Sequence, residues 1–132
     1  MLEITETAII RHLNVSITIL EAIHELGIGV AIDDFGSGYS SLSQLKMLPV
    51  DALKIDQSFI ADVVKDADSA AIMQAIIQLG AVLGLTIIAE GVETAKQLNF
   101  LKQTVCHCGQ GYYLSHPLLE GELIKLLQKQ HP

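Results

Sequence analysis

The feature that most constrains the fold is a repeated order of elements. Short, almost wholly apolar runs alternate with segments of helical periodicity, and carboxylates fall directly after the apolar runs. Leu2–Thr5, 28–32, Ala52–Ile55 and 85–89 read as buried strands, with a fifth near 105–108 or slightly later. Residues 17–26 read as a helix with Ile19, Leu20, Ile23 and Leu26 at helical spacing and Gly27 as its stop. Residues 33–38 read as a turn, and 41–47 as a short helix that ends before Pro49. The strongest helix is 69–83, with Ile72, Ala75, Ile76, Leu79 and Leu83 on one face and Asp66 or Asp68 as its cap. Thr94 and Gln97 have capping-box spacing for a further helix, and 120–128 reads as the last one.

Strand and helix in alternation, joined by short connections, imply a parallel sheet with right-handed crossovers. The chain has 132 residues, enough for one domain, and contains no linker or low-complexity tract. Half of it is apolar and only 17% is charged, as expected of strands buried on both faces or of part of a larger core.

The net charge of −7 argues against a surface for DNA or RNA, which needs clustered Lys and Arg. The longest apolar stretch, 75–89, is broken by Gln78, Gly80 and Gly84 and is too short for a membrane span. No secretory signal follows Met1. Cys106 and Cys108 sit two apart, where a disulfide would be badly strained, so they read as reduced core cysteines of a cytoplasmic protein.

The charges at the strand ends carry the chemistry. Glu3 and Glu6 close the first strand, Asp33 and Asp34 follow the second, Lys54 and Asp56 close the third, and Glu90 and Glu93 follow the fourth. Gln110 lies at or after the fifth. In parallel α/β folds the C-terminal strand ends share one rim, where active sites are built. Gathering carboxylates there is unfavourable unless a cation neutralises them, and an all-oxygen set suits Mg²⁺ or Mn²⁺. Metal-assisted phosphoryl hydrolysis is the reaction class this suggests. A receiver-like phospho-acceptor domain also has an acidic pair and a lysine on its rim. Its pair follows the first strand and its lysine the last, an order this chain does not have. Asp66 and Asp68 read as helix caps, and Glu21, Glu25, Glu120 and Glu122 as solvated helix faces.

Glu3-Ile-Thr-Glu6, the run from Asp33-Asp-Phe-Gly to Leu42, Leu48-Pro-Val-Asp51 and Leu53-Lys-Ile-Asp-Gln-Ser-Phe59 recur in one known family. So do Ala89-Glu-Gly-Val-Glu-Thr94, Gln110-Gly-Tyr112 and Ser115-His-Pro-Leu118. In their order and spacing the chain resembles the EAL domain family of cyclic-di-GMP phosphodiesterases. The resemblance implies that residues 1–132 are the C-terminal portion of one EAL domain, a partial TIM-like (β/α) barrel of about five parallel strands from the fourth onward.

It also implies roles. Glu3 and Asp33 would ligate one Mg²⁺ or Mn²⁺ ion, with Asp33 bridging to a second held by Asp34 and Glu90 and supported by Asp56. Lys54 would orient the attacking water, with Glu90 beside it in the catalytic centre. Glu93 and Gln110 would complete the rim, and Glu6 would brace the glycine-bearing loop after Asp34. The substrate would be cyclic-di-GMP, opened to the linear dinucleotide pGpG in the cytoplasm under control of sensory or GGDEF-type partner domains.

The chain departs from the family in lacking the Glu-Ala-Leu motif and the upstream asparagine ligand, so two ion ligands are missing. Weak metal binding and little turnover are therefore expected of these residues alone. His107 stands where aspartate is common, and His116 where arginine or lysine is. A degenerate EAL module that binds nucleotide or protein without catalysis is the alternative. Five strands leave two open edges and an uncovered apolar face, from which self-association is expected.

Overall fold

The computed structural model describes residues 1–36 and 40–131; Ser37, Gly38 and Tyr39, part of the expected turn and loop, and Pro132 lie outside them. The elements run β1 (Leu2–Thr5), α1 (Glu6–Arg11), α2 (Leu13–Glu25), β2 (Val30–Phe35), α3 (Leu42–Met47) and β3 (Ala52–Ile55). They continue with α4 (Gln57–Asp62), α5 (Ala67–Val82), β4 (Thr86–Ala89), α6 (Ala95–Lys102), β5 (Cys108–Gly109) and α7 (Glu120–Gln130). The strands form one parallel sheet in the order β1-β2-β3-β4-β5. Among the described residues β1 and β5 each pair on one side only, so the barrel is not closed.

The central strands are apolar because both their faces are covered. Every residue of β3 is buried, and Val30, Ala31 and Ile32 of β2 are too. Ile55, Ile60, Met73, Ile77 and Ile87 fill the middle of the core. The caps fall where side-chain oxygens can take free helix amides: Ser41 and Thr94 close capping boxes with Gln44 and Gln97, and Asp66 accepts from Asp68 N. Glu21, Glu25, Glu120 and Glu122 are exposed.

Several expectations are corrected. The fully buried face of α5 is Met73, Ile77 and Gly80; of the expected stripe, Ile76, Leu79 and Leu83 pack half-buried against the core, whereas Ile72 is 53% exposed and Ala75 is also outside. The cause is Gly80: a Cβ there would lie 2.1 Å from Ile87 Cδ1, so the helix seats on β4 through its bare backbone. On α2 only Leu20 is buried, and Ile19 and Leu26 face solvent, because β1 is the sheet edge and offers cover on one side. Helices α1 and α4 were not expected; at six residues each they are too short for a periodic signal, though Thr5 and Asp56 cap them.

The segment expected as a turn from Asp33 is still strand through Phe35. β5, Cys108–Gly109, falls at the later end of its expected range, and the Thr104 hydroxyl accepts from Cys106 N in the turn after α6. The two cysteines do not share the core: Cys106 is half-buried and Cys108 is exposed.

Candidate active site

Two consecutive carboxylates on a regular strand would point to opposite faces. Here the β2–β3 register shifts between Ile32 and Phe35, and Asp34 takes a left-handed backbone with φ of 51°. Such an irregularity re-aims side chains. Asp33 and Asp34 thereby turn toward the same rim, where each offers a carboxylate oxygen and Glu90 offers a third, all within 4.8 Å of one another. Burial, then Asp33 and Asp56 nearby, hold the Asp34 carboxyl above its ordinary range. Glu90 is also held high, by burial first and against the pull of Lys54.

Lys54 rises from the buried strand β3 into this cluster and is itself 6% exposed. Its Nζ lies 2.7 Å from Glu3 Oε1, 3.0 Å from Glu90 Oε1 and 4.0 Å from Asp33 Oδ1. Burial disfavours the ammonium, but hydrogen bonds and charge from Glu3 and Glu90 outweigh it and raise the amine above its usual range. Glu3 is outside the oxygen triple and is held by Lys54. Asp56 is outside it as well: its side chain caps α4 by accepting from Ser58 N at 2.8 Å.

Glu6 is buried, and its carboxylate accepts from Gly36 N at 3.0 Å and Ser40 N at 3.2 Å, on either side of the loop after β2. The loop after β4 is fixed differently. Glu90 N donates to Ile55 O, Gln110 N to Ala89 O and Val92 N to Gln110 O, so strand ends β3, β4 and β5 are tied together. Gly91 has a φ of +73°, and a Cβ there would lie 2.4 Å from Gln57 Cβ. Glycine lets this loop turn tightly against the start of α4.

These elements enclose a cleft of ≈ 350 Å³ lined by Asp34, Asp56, Glu90, Glu93, Gln110 and Tyr112, with Gln57, Gly91 and Gly111 between them. Gln57 and Tyr112 were not singled out as site residues from sequence. Each had a signal, since Gln57 directly follows Asp56 and Tyr112 ends a recognised tripeptide.

The donor set suits a divalent cation. It is all oxygen, its carboxylates repel one another, and the ammonium of Lys54 already stands among them as counter-charge.

The EAL domain family matches residues 1–117. The chain belongs to the EAL domain family. Over 127 residues it is 49% identical to the cyclic di-GMP phosphodiesterase NbdA of Pseudomonas aeruginosa, covering 96% of this chain and 16% of that protein. Over 124 residues it is 47% identical to the bifunctional diguanylate cyclase/cyclic di-GMP phosphodiesterase MucR of the same species, covering 94% of this chain and 18% of MucR. The solved MucR phosphodiesterase in complex with c-di-GMP superposes with a TM-score of 0.87 over 92% of this chain and 49% of that one. A manganese/cy-diGMP complex of Klebsiella pneumoniae BlrP1 superposes with a TM-score of 0.77 at 34% identity, over 83% of this chain and 28% of that one. The chain thus spans under a fifth of the length of these two Pseudomonas relatives and about half of the solved MucR chain. Its open five-stranded sheet is an EAL-type, TIM-like partial barrel. No helix among the described residues is long and apolar enough to cross a membrane.

Proposed function

We propose that residues 1–132 are the C-terminal portion of one EAL domain and supply the acidic rim of a metal-dependent site that hydrolyses cyclic-di-GMP to linear pGpG. The observation that carries this reading is the convergence of Asp33, Asp34 and Glu90 oxygens within 4.8 Å, with Lys54 hydrogen-bonded to Glu90. In this reading Asp33, Asp34 and Glu90 hold Mg²⁺ or Mn²⁺, Glu3 joins Asp33 at a first ion and Asp56 supports the second. The metal contributes Lewis acidity and charge neutralisation at the phosphodiester.

The chain's own residues do the rest. Lys54 donates from Nζ to the attacking water and aligns it. Glu90 links that amine to the acidic cluster. Glu93 and Gln110 form the cleft wall against which the nucleotide rests, and Glu6 braces the chain after β2 through the amides of Gly36 and Ser40. Without the family's Glu-Ala-Leu glutamate and upstream asparagine, these residues bind metal weakly and turn over little substrate by themselves.

The setting we infer is cytoplasmic second-messenger signalling, with sensory or GGDEF-type domains as partners. The isolated chain self-associates. Support comes from the free edge of β1, from an apolar groove lined by Leu2, Ile4, Ile19, Leu20 and Ile23, and from the exposed stripe Leu119, Leu123, Ile124 and Leu127 at α7.

The functional reading is tested by placing residues 1–132 in the matching segment of NbdA. The folded chimera should hydrolyse cyclic-di-GMP with Mg²⁺ or Mn²⁺, and Asp33→Asn should abolish turnover. A folded chimera without turnover would contradict the reading.

A further inference from the structure

Gly36 directly follows β2, and its φ of +100° is open to glycine and little else. A Cβ built on it would run into Cε2 and Cζ of Phe59, so the ring of that residue lies against the Gly36 α-carbon. Phe59 belongs to α4 and packs half-buried against the core. Two residues before Gly36 stands Asp34, a non-glycine residue with a left-handed backbone. Such a conformation costs energy and persists where neighbouring contacts over-determine it. The two residues after Asp34 are gripped from separate elements. Asp56 N donates to Phe35 O at 3.2 Å, Glu6 Oε2 accepts from Gly36 N at 3.0 Å, and the Phe59 ring covers Gly36. The hydrogen bonds hold the oxygen and nitrogen of one peptide group, and the ring blocks movement of the α-carbon that follows it. Phe59 N donates to Asp56 O at 3.1 Å, which ties the ring to the turn that carries Asp56.

We propose that Phe59 is a positioning residue: its ring, set on Gly36, keeps Asp34 in the left-handed conformation that brings its carboxylate beside Asp33 and Glu90. The inference rests on the phosphodiesterase reading above for the use made of Asp34. It adds to that reading a residue outside the cleft lining, which acts through the backbone it covers. A ring fits this place because it is broad and rigid, whereas an aliphatic chain of similar bulk can swing away from the glycine.

The test uses the full 132-residue chain and two readouts. Without metal, NMR follows the strong NOE between the amide and α protons of Asp34, the signature of a left-handed residue. With metal, calorimetry follows Mn²⁺ affinity. Phe59→Leu and Phe59→Met keep apolar bulk without the ring, and Phe59→Tyr keeps the ring. Ile60→Val, at the next and fully buried position of α4, is the control for loosened packing. Leu and Met variants should weaken the Asp34 NOE and lower Mn²⁺ affinity about tenfold, the factor that matches the preference of an ordinary residue for right-handed backbone. Phe59→Tyr and Ile60→Val should leave both readouts as in the wild type. An Asp34 NOE that survives in a folded Leu or Met variant, or that falls equally in Ile60→Val, overturns the proposal. An NOE lost with Mn²⁺ affinity unchanged upholds the brace and removes Asp34 from the metal site. Absence of Mn²⁺ binding by the wild-type chain overturns the phosphodiesterase reading, and the NOE still decides the role of Phe59.

Discussion

Lys54 Nζ stands 3.0 Å from Glu90 Oε1, joining β3 to the residue that directly follows β4. The pair sits where three carboxylate oxygens converge, so the ammonium is the fold's own counter-ion for the rim. Replacing it by an apolar chain of similar length leaves those carboxylates facing one another. Lys54→Met should lower stability by roughly 1–3 kcal/mol, less than for a fully buried pair because Glu3 is half exposed. Added Mn²⁺ should recover part of the loss. Thermal unfolding with and without Mn²⁺ measures both, and an unchanged midpoint in the metal-free variant would contradict the counter-ion role.

Glu6 carries the second prediction. One carboxylate accepts from two loop amides thirty and thirty-four residues away. Glutamine can accept from one of them but turns an N–H₂ toward the other. Glu6→Gln should therefore cost about 1–3 kcal/mol despite its matching shape. Urea denaturation is the check, and a loss confined to a few tenths would mean the loop is held by other contacts.

At Gly91 a left-handed backbone and the nearness of Gln57 act together. Gly91→Ala should destabilise the chain by roughly 1–3 kcal/mol and displace Glu90 from the cluster. Chemical-shift changes at both ends of β3 and β4 would report the displacement. A wild-type spectrum for the variant would show that the loop can relax.

The acidic cluster makes stability depend on pH. Asp34 and Glu90 have folded pKa values raised above their unfolded ones, mainly by burial. Each then binds its proton more readily in the folded chain, so its contribution favours folding at mild acid and is lost as pH rises through the raised pKa. Metal-free chain should gain stability on going from neutral pH toward the top of the carboxylate range. Asp66, lowered by the Ser69 hydroxyl, works the other way, and its stabilisation is lost as pH falls below the ordinary aspartate value. Unfolding midpoints across this range, without metal, should pass through a maximum. A steady decline from neutral pH downward would be incompatible with the cluster as described.

Much of the fold was legible in the sequence because buried parallel strands leave apolar runs that nothing else explains. Strands β1 and β3 match their expected limits, and the Thr94–Gln97 capping box forms. The face of α5 was legible only in part: Ile76, Leu79 and Leu83 do pack on the core, but Met73 and Ile77 at its centre were not singled out. Gly80 contributes nothing to an apolar stripe, yet it decides which side of the helix lies against Ile87. The carboxylates at the strand ends announced a rim, but spacing could not show that Asp33 and Asp34 share a side. That follows from a register shift and one left-handed residue. Nor could it show that Glu3 is engaged by Lys54, a contact spanning fifty-one positions. Tyr112 was visible only as part of a motif, since its place in the cleft depends on how the chain turns after β5.

The most direct test of the central claim is Mn²⁺ titration of the ¹⁵N-labelled chain, read by paramagnetic broadening of the amide signals. Broadening should centre on Asp33, Asp34 and Glu90 at weak affinity, spread next to Lys54 and Asp56, and disappear in Asp33→Asn. Broadening centred on the exposed acids of α2 or α7, or unchanged by Asp33→Asn, would contradict the assignment of this rim as the metal site.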